Sequence, residues 1–259
     1  MLKLFVLFIV SAVATADPLR NHFRLDHNAR IVGGRNASIE EFPYLVSIQT
    51  FGYHYCGGGI ISEKWALTAR TCYVSIRDLI RAGSTYSNEG GSLHTVAQII
   101  RHEKFHYIDS INDASVNNIQ LLRVLEPFKF DKTRQPMALF NANEVVPANT
   151  LGELAGWGFT ENGQLSQNLK AIDLNTLTPQ KCKNSYDLFG GLQEDQFCAG
   201  HPAFKQDVCF SDAGSPFAIN GRIAGFVSWA NGCGEPGYYG VYTKISSYIP
   251  WIKEKLGVY

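Results

Sequence analysis

Acyl transfer by a side chain needs a hydroxyl or thiol nucleophile, an imidazole bonded to it, and a carboxylate that fixes the imidazole. In this 259-residue chain the stretch Asp207-Val208-Cys209-Phe210-Ser211-Asp212-Ala213-Gly214-Ser215-Pro216 organises the rest. It holds two carboxylates and two serine hydroxyls, but no imidazole. The seven histidines do not cluster at metal-ligand spacing. His102 and His106 flank a short segment without a cysteine and read as surface residues. His54 stands two residues before Cys56; without a hydroxyl partner it reads as packed near a disulfide.

The elements that must position these groups read as strands. Tyr44–Gln49, Gly59–Ser62, Ala97–Ile100, Ile119–Val124, Leu151–Trp157, Leu169–Leu174 and Arg222–Trp229 are short apolar runs bounded by turn residues. No long amphipathic helix interrupts them, a pattern that suits β-barrels. One helix is expected at the end, where Pro250 can occupy a first turn and Ile249, Ile252 and Leu256 recur at helical spacing. A composition change near Asn141–Thr150 marks the expected joint between two barrels. Lys plus Arg (23) balance Asp plus Glu (23), so no strong field draws nucleic acid or an anionic membrane.

Residues 1–16 read as a secretory signal peptide: Lys3, the apolar run Leu4–Val10, then Ala14-Thr15-Ala16. No apolar run is long enough to span a bilayer. The chain is therefore expected outside the cell, where its six cysteines read as three disulfides with fifteen connectivities open. Asn36-Ala37-Ser38 is an N-glycosylation acceptor. Residues 17–30 are polar, carry Arg20, Arg24 and Arg30, and read as a propeptide.

From Ile31 onward the chain resembles the trypsin-like serine proteases. The likeness rests on Ile31-Val32-Gly33-Gly34, Cys56-Gly57-Gly58, Trp65-Ala66-Leu67-Thr68-Ala69 and Gly156-Trp157-Gly158. It continues through Asp207–Pro216, Val227-Ser228-Trp229 and Gly240-Val241-Tyr242-Thr243. The resemblance implies an all-β fold of two packed six-stranded antiparallel barrels with a C-terminal helix, over residues 31–259. It implies the pairs Cys56–Cys72, Cys182–Cys198 and Cys209–Cys233, and cleavage after Arg30 to free an Ile31 ammonium for Asp212. It places Asp207 at the floor of a pocket for Arg or Lys, with Trp229, Ala230 and Gly240 on its walls.

At three positions the sequence departs from the family pattern. Thr71 stands where the family has its histidine, Asn118 where it has its aspartate, and Ala213 where it has its serine. Ser211 and Ser215 replace glycines, and the Ser211 Cβ is expected to resist the backbone angles of an oxyanion hole. Ala230 puts a methyl where substrate backbone would pair. Asp113 and Ser115 do not fall where the family places its groups. The Ser84–Leu93 loop has one carboxylate, Glu89, too few for calcium; no metal or cofactor is expected. The reading is a secreted homologue without an active triad and not an enzyme, acting by binding an extracellular protein: a protease, an inhibitor or an immune-cascade component. The alternatives are a weak hydrolase of activated esters with Arg/Lys preference, or an inert structural or storage protein.

Overall fold

The computed structural model describes residues 34–109, 114–160, 163–187, 191–201, 208–209 and 211–257. The signal peptide, the propeptide, Arg30, Ile31, Asp113 and Asp207 lie outside them.

The chain enters through a two-residue strand, β1 (Arg35–Asn36), and then builds a barrel. Its strands are β2 (Leu45–Thr50), β3 (Tyr53–Ser62), β4 (Trp65–Thr68), β5 (Leu79–Ala82), β6 (Ser92–Arg101) and β9 (Gln120–Val124). They close in the order β2-β3-β4-β9-β6-β5, all antiparallel. Val46, Ile48, Ile60, Ala66, Ile80, Val96, Leu122 and Val124 fill this barrel. Phe51 and Gly52 make the β2–β3 turn with φ of 53° and 84°, the mirror-image turn whose twist suits paired strands. Between β6 and β9 a small hairpin, β7 (His106–Asp109) and β8 (Ala114–Val116), stands apart.

After β9 the chain crosses to the second barrel. Its strands are β10 (Leu151–Gly156), β11 (Lys170–Thr176), β12 (Gln196–Gly200), β13 (Pro216–Ile219), β14 (Arg222–Trp229) and β15 (Gly240–Lys244). They run β11-β10-β13-β14-β15-β12, and a β11–β12 pairing closes the ring, with β1 added on β11. The fold is thus two six-stranded antiparallel barrels. The crossing segment is fastened to the second barrel at Asn141–Thr150, the expected joint. Glu144 pairs with Arg222, whose guanidinium lies 4.6 Å from the centre of the Phe140 ring. Leu67, Ile119 and Leu121 of the first barrel join one apolar cluster with Leu154, Phe217, Phe226 and Tyr242 of the second, so both barrels share a buried wall.

The C-terminal helix is present as α2 (Ile249–Leu256), with Pro250 in its first turn and Gly257 ending it at φ 66°. The sequence reading missed α1 (Pro179–Tyr186). Its signal was Thr178-Pro179: the Thr178 hydroxyl accepts from the Lys181 N–H at 3.2 Å, and Pro179 suits a first helical position. Three disulfides, Cys56–Cys72, Cys182–Cys198 and Cys209–Cys233, tie β3 to the loop after β4, α1 to β12, and two loops flanking the cleft. Among the described residues no helix is long and apolar enough to cross a membrane.

Two histidine expectations need correction. His102 is half-buried, its ring against Tyr248 at 5.3 Å and Trp251 at 5.0 Å, while His106 is exposed. His54 does more than pack near a disulfide, because the β-bulge between Ile48 and Gln49 brings it opposite strand β2 with its ring turned inward.

Candidate functional site

A cavity of about 350 Å³ opens between the barrels. The first barrel gives it Tyr55, Cys56 and Thr71; the second gives Val208, Cys209, Ser211, Ala213, Val227 to Ala230, Gly232 and Cys233. Loops after β4 and before β13 meet here because the Cys56–Cys72 bridge holds one and the Gly57 N–H, donating to the Ala213 carbonyl at 2.9 Å, holds the other.

Thr71, Asn118 and Ala213 are all at or beside this cavity. Asn118 is buried behind Thr71, its Oδ1 accepting the Thr71 N–H at 2.9 Å. Its Nδ2 donates to the Ser228 hydroxyl at 2.8 Å and the Thr71 hydroxyl at 3.2 Å. The carboxamide accepts on one atom and donates on the other, and the two hydroxyls accept from it because each can take either role. Trp229 and Ala230 line the cavity, and the Trp229 indole packs edge-on against Tyr186 at 4.7 Å. Gly240 sits further back, opposite Ala199 in the β12–β15 pair. Asn36, on β1, is exposed and its Oδ1 accepts from the Lys170 ammonium at 2.6 Å.

Ser211 takes φ 67°, the left-handed region that costs a residue with a Cβ roughly 1–2 kcal/mol. The backbone therefore reaches the angles the Cβ was expected to resist. A hydrogen bond offsets the cost: His54 Nε2 donates to the Ser211 carbonyl at 3.0 Å. A carbonyl only accepts, so Nε2 carries the proton and Nδ1 accepts from the Ser47 hydroxyl at 2.8 Å. The N–H groups of Ser211 and Ala213 donate to no acceptor among the described residues. Sequence reasoning missed the Ser47–His54–Ser211 chain; its trace was a polar residue in each of two facing strands, which only the bulge brings together.

Asp212 is fully buried below this loop. It accepts the Gly158 N–H on Oδ1 and the Cys209 N–H on Oδ2, both at 3.1 Å. Gly158 is needed for that approach, since a Cβ there would lie within 2.4–2.5 Å of the carboxylate.

Burial pushes the His54 pKa down to about 4, against the hydrogen bond to Ser211, which raises it. The unfolded chain therefore binds a proton here that the fold refuses. The stability held by neutral His54 is complete above about pH 6.5 and is lost as pH falls toward 4, amounting to about 3 kcal/mol. Urea midpoints measured from pH 7 to pH 4 are expected to fall in that window, and to fall less in His54→Gln. An equal fall in the variant would remove His54 as the cause.

A family model described as Trypsin matches residues 31–252. The chain is 34% identical over 259 residues to "Trypsin epsilon" of Drosophila erecta, covering 98% of each. It is 33% identical over 248 residues to "Trypsin 5G1" of Aedes aegypti, covering 94% of this chain and 91% of that one. A solved structure of neuropsin, a serine protease expressed in the limbic system of mouse brain, superposes with a TM-score of 0.79 at 26% identity. It covers 87% of this chain and all of its own. These relatives overturn the expectation that the chain is not an enzyme, since these two, which match it along nearly its whole length, are named as trypsins. Physically, the inference from Thr71, Asn118 and Ala213 went too far. In this family's catalytic template, loss of a triad member still leaves roughly 10³–10⁴-fold catalysis over water from oxyanion donors and binding.

Proposed function

The chain belongs to the trypsin family of serine proteases, and from that premise we propose that it is a secreted protein whose cleft binds a basic side chain of an extracellular polypeptide. The partner classes are a protease of a cascade, an inhibitor of one, or a component of an immune cascade. The observation that carries the reading is the cavity itself, which draws its walls from both barrels and keeps Trp229 and Ala230 on one side and Tyr55 on the other. By the family resemblance, Asp207, next to Val208 in sequence, is the carboxylate that an Arg or Lys would meet; such a pair gains most where water is excluded.

Binding of benzamidine, an aryl amidine that presents a flat cation, tests this by calorimetry. Saturable binding at one site, weakened at least tenfold in Asp207→Asn, is expected. Equal affinity in the variant would remove Asp207 from the site.

A second reading, hydrolysis of activated esters of Arg or Lys, is favoured by the Ser211 and Ala213 N–H groups at the cavity wall, which have no acceptor among the described residues. Two such donors stabilise the oxyanion of an attacked ester without any side-chain nucleophile. Turnover of an Arg ester that benzamidine inhibits supports it; turnover indifferent to benzamidine places the chemistry elsewhere.

A further inference from the structure

Away from the cleft, the start of β6 holds a second arrangement of catalytic side-chain types. Ser92 and His94 are two apart on one strand and so share a face. The Ser92 hydroxyl lies 2.7 Å from His94 Nε2, and His94 Nδ1 lies 2.7 Å from the Glu126 carbonyl. Because that carbonyl can only accept, Nδ1 carries the proton and Nε2 offers its lone pair to the serine O–H. Arg134 Nη1 donates to the Ser92 oxygen at 2.8 Å. Asp131 fixes Arg134 through an ion pair, and itself accepts from the Thr133 N–H and hydroxyl at 2.8 and 2.6 Å. Gly83 leaves the room for this arginine, since a Cβ there would stand 3.0 Å from its side chain.

We infer that Ser92 and His94 form a nucleophile–base pair able to accept an acyl group from an activated ester. His94 is buried and packs tilted against Phe128, ring centres 4.5 Å apart, whereas Ser92 is only half-buried, so the base is fixed and the nucleophile reachable. Burial, and to a smaller degree the Arg134 charge, holds His94 below its ordinary pKa, against the Glu126 carbonyl and carboxylate. The imidazole is then a free base at neutral pH. The Arg134 cation, the third member, favours charge developing on the serine oxygen. In the step, the Ser92 O–H proton passes to His94 Nε2, a bond forms from Oγ to the acyl carbon, and the aryloxide leaves and takes the proton. Water then releases the acyl group through the same imidazole.

The test uses the full chain and p-nitrophenyl acetate at neutral pH, with the acetyl group located by peptide mass spectrometry. Acetyl on Ser92 of the unaltered protein is expected, and acetylation confined to lysines and the N-terminus would overturn the proposal without any variant. In His94→Gln, which keeps a hydrogen-bonding side chain, the rate of Ser92 labelling is expected to fall roughly a hundredfold, the loss typical of a general base. An unchanged rate in that variant would also overturn it. The outcome is independent of the inter-barrel cleft, since benzamidine is expected to leave Ser92 labelling untouched.

Discussion

Full reduction of the three disulfides is expected to unfold the protein at 37 °C. The bridges close chain separations of 16, 16 and 24 residues. On the chain-entropy model such loops contribute about 3 kcal/mol each, roughly 10 kcal/mol together. A domain's whole stability is roughly 5–15 kcal/mol, so little remains once they are open. The bridges also hold elements that pair weakly on their own: α1 has eight residues and is joined to β12 by Cys182–Cys198. Near-ultraviolet circular dichroism after reduction and thiol capping checks this. A cooperative thermal transition surviving above 45 °C in the capped protein would mean that the barrels hold without their bridges.

Gly214→Ala is expected to cost about 3 kcal/mol, through left-handed strain and overpacking together. Gly214 has φ +80°, and a Cβ there would stand 2.5 Å from the Gly57 carbonyl oxygen and 2.1 Å from the Thr68 hydroxyl. The first is backbone of a buried strand and cannot step aside. Gly52→Ala separates the two causes, since Gly52 has φ +84° with nothing within 4 Å of the added carbon. That control is expected to lose only about 1 kcal/mol. Urea midpoints of both variants make the comparison; equal losses would show that crowding at Gly214 contributes nothing.

The architecture was legible because strand runs such as Arg222–Trp229 are bounded by turn residues and match β14 end for end. Ile249, Ile252 and Pro250 located α2 for a similar reason: a local pattern encodes it. What escaped depends on neighbours far along the chain. β1 is two polar residues that become a strand only because Ala171 and Lys170 offer a paired edge. His54 looked like packing because its partners, Ser47 and Ser211, are 7 and 157 residues away. Thr71, Asn118 and Ala213 could be read as substitutions, but not the hydrogen bonds that tie Asn118 to Thr71 and Ser228. The step from those substitutions to "not an enzyme" also took the Ser211 Cβ to spoil the backbone N–H donors, whereas Ser211 does reach φ 67°, an angle no sequence displays.

The two barrels do not close equally tightly. Strand β10 is bound to β11 through six residue pairs, but to β13 through two, and β11 meets β12 through two. The β10–β11 hairpin is therefore a stiff plate hinged lightly along both edges, and β1 is riveted to one of them at Arg35 and Asn36. At its far corner the chain runs on from Gly156 to Gly158, whose N–H grips Asp212 under the floor of the cleft. A tug on the chain just ahead of Arg35 would travel as tilt rather than as stretch. It would reach the cleft floor through the plate, without first unravelling the strands between.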